Sequence, residues 1–232
     1  MYQVESRSMN LALFDLDHTL IPTDSDHEWG RFLVGLGIVD AEEYQRENDR
    51  FYADYKAGTL DNDKFLRFAL APLAQRPREE LARWHAEFMR TVIVPVITPQ
   101  ARTLVQSHLD AGDLCGVVTA TNSFVTRPIV QAFGIPHLIA TEPATVDGHP
   151  DSMFNGAVSG IPSFREGKIA RTEAWLASLG RDWSSFGSTT FYSDSFNDIP
   201  LLEKVSVPVA TNPDERLRYH AEERGWRIMD LF

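Results

Sequence analysis

The chain predicts an α/β fold: a parallel β-sheet core, an inserted all-helical block and a small β-hairpin. Three observations point there. A short apolar run, Leu11 to Phe14, ends abruptly in two carboxylates, Asp15 and Asp17, as a buried strand does at the carboxyl edge of an open α/β sheet. Residues 22–92 carry helical periodicity throughout. From Thr98 onward strand-like and helix-like segments alternate, the pattern of parallel strands joined by helical crossovers.

In chain order, side chains two apart on a strand point the same way, so Asp15 and Asp17 face one pocket while Leu16 packs elsewhere. Two carboxylates so close repel each other, and the pair calls for a metal, a shared proton or solvent. In the helical block, Ser25 with Glu28 reads as a capping box before Trp29, Phe32, Leu33 and Leu36. Asp40 with Glu43 repeats the signal ahead of Tyr44, Phe51 and Tyr55, and Gly58 stops that helix. Phe65, Leu66 and Ala69 mark a third helix. A fourth starts after Pro77, a good first-turn residue, and carries Leu81, Trp84 and Phe88. Because this block follows directly on Asp15 and Asp17, it is expected to cover them.

The alternating part begins with a helix from Thr98-Pro99 to Gly112, then a strand from Leu114 to Val118 that ends at Thr119. A helix carrying Ile129, Val130 and Phe133 stops at Gly134, and His137 to Ala140 is the next strand. Asp147-Gly148 and Asn155-Gly156 are turn signals between short β-like pieces, which predicts a hairpin flap. Lys168 begins a helix closed by Gly180, and Thr189 to Tyr192 is a strand ending in Ser193-Asp194. Ser195 to Leu202 reads as helix, Val205 to Ala210 as strand, and Pro213 to Arg224 as the last helix.

Composition narrows the function classes. The 232 residues are 43% apolar and 24% charged, ordinary for a water-soluble domain. A net charge of −11 argues against a broad footprint on nucleic acid or an anionic membrane. It leaves room for an anionic substrate, because one metal or lysine reverses the sign inside a pocket. The single cysteine, Cys115, excludes an internal disulfide and a Cys-based zinc cluster, and its apolar setting marks it as a buried small hydrophobe. No run approaches the roughly 18 apolar residues of a membrane span. MYQVESRSMN lacks a basic-then-apolar signal layout, so a cytoplasmic protein with a loose arm before Met9 is expected.

Asp15 and Asp17, Thr119 and Asp194 all stand at predicted strand ends, which a parallel sheet with right-handed crossovers lines up along one edge. Three carboxylates and a hydroxyl without a His or Cys cluster suit a hard, oxygen-binding cation, Mg²⁺ above all. Lys168 starts a helix on the same side; the duller reading is a solvated helix-start lysine.

These segments resemble the haloacid dehalogenase superfamily. FDLDHTL is similar to its D-x-D-x-T signature. VVTAT, with Thr119, resembles the second motif, and GKIARTEAW, with Lys168, the third. YSDSFNDIPLL, with Asp194, Asn197 and Asp198, resembles the fourth. Order and spacing agree over nearly the whole chain. Ser193 replaces the usual fourth-motif glycine, a small-for-small exchange. The helices between the first and second motifs and the hairpin resemble subfamily IB, the phosphoserine-phosphatase-like branch. The resemblance implies a Rossmann-like core from residues 1–21 and 93–232, with residues 22–92 as a helical cap domain.

It also implies roles. Asp15 would attack phosphorus and carry an aspartyl-phosphate, and Asp17 would act as acid and then base. Asp15, Asp17 through its backbone carbonyl, and Asp194 would bind Mg²⁺, with Asn197 and Asp198 supporting them. Thr119 and the amides of Ala120 and Thr121 would hold phosphate oxygens, and Lys168 would neutralise charge during transfer. An acid at position 17 argues for phosphomonoester hydrolysis over dehalogenation, which has no alkoxide to protonate. Asp24 stands near the glutamate with which phosphoserine phosphatases grip the substrate ammonium, while Ala69 occupies their arginine position. Asp24, Asp26 and Glu28 either cap a helix or make the entrance acidic. An acidic entrance suits an amine-bearing phosphate ester: histidinol phosphate first, then phosphoethanolamine and phosphocholine.

His18 and His27 lie close enough to the acids to touch substrate; the other histidines read as surface or packing residues. Phosphoserine phosphatase or a related phosphotransferase is the alternative. A non-catalytic Mg²⁺-dependent phosphoacceptor is the alternative from another class. The expected partner is a small phosphate ester, and the expected assembly a monomer or homodimer.

Overall fold

The computed structural model describes residues 9–232. The expected arm before Met9 lies outside the described residues. β1 (Leu11–Phe14) is the fully buried centre of a seven-stranded sheet of order β4-β3-β2-β1-β5-β6-β7. Its neighbours are β2 (Leu114–Asn122) and β5 (Thr189–Ser193), both parallel to it, with Phe14 opposite Val117 and Tyr192. β3 (His137–Thr145) extends the parallel sheet beyond β2, and β6 (Val207–Thr211) and β7 (Arg227–Met229) extend it beyond β5. The chain leaves β1 toward β2 and later returns to its other side as β5. This reversal opens a crevice at the carboxyl end of β1, where such sheets bind ligands.

β1 alternates between two apolar layers, as the two-residue period of a strand requires. Ala12 and Phe14 pack with α5 (Pro99–Ala111) and α6 (Ser123–Ala132), through Ala101, Val105, Val125 and Ile129. Leu11 and Leu13 face α7 (Glu166–Ser178), α8 (Ile199–Lys204) and α9 (Glu215–Arg224), through Leu176, Leu201, Leu202, Leu217 and Ala221. Removing these side chains from water is the main stabilising term.

Between β1 and α5 stand α1 (Ser25–Gly35), α2 (Ala41–Ala57), α3 (Asn62–Ala74) and α4 (Arg78–Phe88). Trp29, Leu33, Leu70, Leu81 and Phe88 of this block are buried in the same apolar cluster as Phe14. Trp29 meets Phe88 edge-on at 5.3 Å and Phe124 of α6 at 5.5 Å, which seats α1 and α4 against the sheet layer. No helix among the described residues is long and apolar enough to cross a membrane.

Several local features differ from the sequence reading. The cap of α1 is Asp24, whose side chain accepts from His27 N; Ser25 is already helical. Pro77 sits at the cap position of α4 instead of within its first turn. α4 runs on into a π-helical turn, Met89–Ile93, and a 3₁₀ turn, Val94–Val96. The hairpin forms from the end of β3 and β4 (Phe154–Ser159), antiparallel, but Asn155-Gly156 lies inside β4 and only Asp147-Gly148 is in the connection. The segment after Asp194 is a 3₁₀ turn, Phe196–Asp198, before α8. β2 continues past Thr119 to Asn122 with a register shift after Val118, and β7 was not expected at all.

Candidate active site

The carboxyl ends of β2, β1 and β5 lie side by side, and they bring Asp15, Asp17, Thr119 and Asp194 together from three separate stretches of sequence. Lys168, in the first turn of α7, is 2% exposed and brings a buried cation to one of them, Asp15. Its Nζ donates to Asp15 Oδ1 at 2.8 Å and to Asp198 Oδ2 at 2.6 Å. Asp198 also accepts from Ser193 Oγ at 2.7 Å. So the residue in place of the usual glycine supplies a hydroxyl that orients this carboxylate. Thr19 does the same for Asp194: its Oγ1 donates to Asp194 Oδ1 at 3.1 Å and accepts from Asp194 N at 3.0 Å.

Asp17 is partly buried and lines the pocket. One of its oxygens accepts from Ser25 N at 2.7 Å and the other from Thr121 Oγ1 at 2.9 Å. Thr121 N in turn donates to Thr119 Oγ1 at 3.3 Å, which bends the β2 terminus around the site.

The electrostatics follow from burial of like charges. Burial raises Asp15 to about 7, with Asp198 and Asp17 adding to the rise and Lys168 opposing it. Burial and the charge of Asp24 raise Asp17 to about 6, against the pull of its hydrogen bonds from Ser25 and Thr121. Asp194 is held well above the ordinary carboxylate range by burial and by Asp15 and Asp198. For Lys168 burial acts to lower the pKa, but the charges of Asp15 and Asp198 outweigh it and the ammonium is kept.

These acids outnumber the one ammonium beside them, so the cluster carries surplus negative charge. Among the described residues no three His, Cys, Asp or Glu side chains converge closely enough to form a metal site by themselves. The donors present still fit Mg²⁺. Asp15 and Asp194 are two oxygen donors whose mutual repulsion a divalent cation would relieve. That ion commonly takes one or two carboxylates and completes its shell with carbonyl, water and phosphate oxygens.

A small cavity of about 50 Å³ lies over Asp15 and Asp17. Thr119, Ala120 and Thr121 line it on the sheet side, and Asp24, Asp26 and His27 on the α1 side. The helical block closes it with Phe51, Tyr52, Tyr55 and Phe65. Phe51 and Tyr55, read from sequence as part of a packing stripe, are therefore cavity wall. His18 is turned onto the helical block: its Nε2 meets Tyr52 OH at 3.0 Å. His27 pairs with Asp49 at 2.8 Å while still lining the cavity.

Further contacts tie the helices to the fourth motif. Tyr55 OH donates to Ser195 Oγ at 3.2 Å, and Asn197 Nδ2 donates to Tyr55 O at 3.3 Å. Arg165 donates to Gly58 O at 2.8 Å and to Asn197 Oδ1 at 3.2 Å, from a backbone at φ 50° that non-glycine residues seldom adopt. Asn197 thus reaches the helical block, while Asp198 reaches Lys168. Sequence reading assigned no site role to Thr19, Ser193 or Arg165. The threonine of D-x-D-x-T was a usable signal; nothing local marks the other two.

Comparison with known proteins places the chain in a family. A profile of haloacid dehalogenase-like hydrolases matches residues 12–203. A histidinol-phosphatase of Neisseria meningitidis serogroup C is 50% identical over 96% of this chain and 99% of its own length. A phosphoserine phosphatase, SerB1, of Mycobacterium tuberculosis is 34% identical over 95% of this chain and 70% of its own. Among solved structures, a protein of unknown function from Bordetella pertussis Tohama I superposes with a TM-score of 0.91, is 51% identical, and is covered over 97% of this chain and 100% of that one. A substrate-bound phosphoserine phosphatase superposes with a TM-score of 0.67 at 19% identity, over 98% and 95% of the two chains, and shares the fold.

Proposed function

The chain belongs to the haloacid dehalogenase-like hydrolases and is a phosphoric monoester hydrolase, and on that premise we propose that it works through an aspartyl-phosphate on Asp15 with Mg²⁺ bound. The observation that supports this most is the Lys168 ammonium shared between Asp15 and Asp198 beside Asp194. It orients Asp15, favours its anionic form against the effect of burial, and leaves it next to a second buried carboxylate.

In the first step a carboxylate oxygen of Asp15 attacks phosphorus and the phosphorus–ester oxygen bond breaks. Asp17, lifted to about 6, gives its proton to the departing alkoxide. In the second step Asp17 takes a proton from water, the water oxygen attacks phosphorus, and the bond to Asp15 breaks to release phosphate. Asp15, Asp194 and the Asp17 carbonyl would hold Mg²⁺, whose charge would offset the repulsion between phosphate and carboxylate. Thr119 and the Ala120 and Thr121 amides hold the phosphate oxygens, and Lys168 balances the charge that develops on them. Asp198 orients Lys168 from behind, while Asn197, bonded to Arg165 and to the Tyr55 carbonyl, ties the helical block to the fourth motif. Residues 22–92 act as the cap that keeps bulk water from the intermediate.

For the substrate we propose histidinol phosphate. The name of the relative sharing 50% identity supports it, as does a cavity that joins acids to aromatic rings. Phosphoserine fits less well: among the described residues lining the cavity there is no Lys or Arg to meet a substrate carboxylate.

Phosphate release from p-nitrophenyl phosphate and histidinol phosphate tests the reading. Turnover should need Mg²⁺, stop in EDTA and fall at least 1000-fold, on the order of a lost nucleophile, in Asp15→Asn. Turnover by Asp15→Asn, or activity that survives EDTA, would overturn it.

A further inference from the structure

We infer that Asn48 sets which leaving group the site accepts: its side-chain oxygen takes a hydrogen bond from a ring N–H, and so selects phosphomonoesters whose alcohol carries a flat ring with such a donor at its edge. This rests on reading the cavity as a phosphomonoesterase site.

Asn48 stands in the middle of α2, is 5% exposed, and lines the cavity over Asp15 and Asp17. Its Nδ2 donates to the His27 main-chain oxygen at 3.0 Å. A carbonyl can only accept, so this bond decides which way round the amide lies: the nitrogen is turned to α1 and the oxygen is left over. Among the described residues no group donates to that oxygen. Nor is the amide needed to satisfy His27, whose carbonyl lies inside α1 and is served by the helix's own ladder. A buried amide that keeps an acceptor unfilled beside a cavity is suited to a donor that arrives with the ligand.

Local choices on both helices fit this reading. Asparagine is a poor residue for a helix interior, because its side chain competes for backbone bonds. Glycine is poorer still, and α1 carries Gly30 within it. A Cβ on Gly30 would stand 2.8 Å from Asn48 Nδ2 and 3.0 Å from its Cγ, so even alanine there would displace the amide. Two residues that weaken their own helices therefore meet at one side chain.

The surroundings say what kind of donor fits. Phe51, Tyr52 and Tyr55 follow Asn48 at i+3, i+4 and i+7, on the same face of α2, and all line the cavity. Phe65 of α3 meets Phe51 edge-on at 5.7 Å and extends the wall. This wall is aromatic, with one amide acceptor set into it. A planar ring with an edge N–H satisfies both parts, its body against the rings and its donor on Asn48. An aliphatic hydroxyl would serve the oxygen alone.

The test exchanges the ring and keeps the chain. With Mg²⁺ present, kcat/KM is measured for histidinol phosphate and for phenylalaninol phosphate, which has the same amine, chain and phosphate but no ring N–H. The wild type is expected to favour histidinol phosphate by about tenfold or more, on the order of one buried acceptor left unpaired, and Asn48→Leu, close in shape, to cut that preference by about tenfold or more. If Asn48 only braces α1 against α2, the variant slows both substrates together and keeps the preference, which overturns the proposal. A smaller preference in the wild type, or a smaller cut, overturns it too, as does a wild type that cleaves p-nitrophenyl phosphate but not histidinol phosphate. Should Asn48→Leu not fold, Gly30→Ala displaces the same amide from the other helix. It is expected to lower the preference as well, and a preference left unchanged overturns the proposal. If the wild type releases no phosphate from p-nitrophenyl phosphate, the phosphomonoesterase reading has failed, and Asn48 is then tested by calorimetry with histidinol and phenylalaninol. Binding of histidinol about tenfold tighter or more supports the role; a smaller difference, or no binding, overturns it.

Discussion

Lys168 lies nearer to Asp198 than to Asp15, with Nζ–O distances of 2.6 and 2.8 Å. The lysine is therefore anchored by a residue of the fourth motif while it presents its charge to Asp15. Replacing it with Met keeps most of its volume and leaves two buried carboxylates without their cation. Breaking a buried pair from one side costs about 3–5 kcal/mol, so Lys168→Met should lower the melting temperature by roughly 10 °C. Turnover should drop at least 100-fold, the scale of losing a positioned electrostatic group. Thermal melts and steady-state kinetics read both outcomes.

Stability should depend on pH in a direction that a divalent cation reverses. The pKa values of Asp15 and Asp17 are raised from 3.8 to about 7 and about 6. Below pH 3.8 both groups are protonated in the folded and unfolded chains alike. As pH rises, the unfolded chain ionises first. Stability is then lost until pH has passed through about 6 and about 7. In EDTA the loss across this window should be on the order of several kcal/mol. Mg²⁺ should recover most of it at pH 8 and little at pH 4, where the carboxylates are protonated. Denaturant melts across pH with and without Mg²⁺ check this; a metal effect equal at both ends would count against the assigned ligands.

Thr19→Val removes the hydroxyl that both supports and is supported by Asp194, while keeping the shape. The Mg²⁺ concentration for half-maximal rate should rise by about 10–100-fold, as for other lost supports of metal ligands. Turnover should return toward wild type at saturating Mg²⁺. A fall in kcat that Mg²⁺ leaves unchanged would place Thr19 elsewhere in the mechanism.

Gly167 precedes Lys168, and a Cβ on it would stand 2.1 Å from the main-chain oxygen of Pro162. Backbone cannot yield as a side-chain tip does, so Gly167→Ala must shift either that loop or the start of α7. Turnover should fall about 10-fold or more, because modest displacement of a positioned group has effects of that size. Gly35→Ala is the control: nothing lies within 4 Å, and the change should alter stability by less than about 1 kcal/mol.

What could be read from the chain beforehand follows the range of the interactions. Asp15 and Asp17 were visible because an apolar strand ends in them, and Lys168 and Asp194 because short motifs carry them. The cap of α1 was displaced by one residue, since Asp24 and Ser25 are both good cap residues and only tertiary contacts choose between them. β7 is three residues long, too short to show a period. Asn155-Gly156 favours a turn by residue type, but pairing with β3 holds it in a strand. Arg165 and Gly58 are 107 positions apart, and no pattern in either neighbourhood announces their bond.

That bond has a consequence for how such molecules diversify. Arg165 holds the main-chain oxygen of Gly58, so the tether is indifferent to which side chains make up the helix that arrives there. At this one point the helical block can vary its side chains, provided a left-handed turn, here Gly58 at φ 75°, delivers a carbonyl to that guanidinium. The choice of leaving group and the handling of phosphorus can then drift apart, each in its own part of the chain.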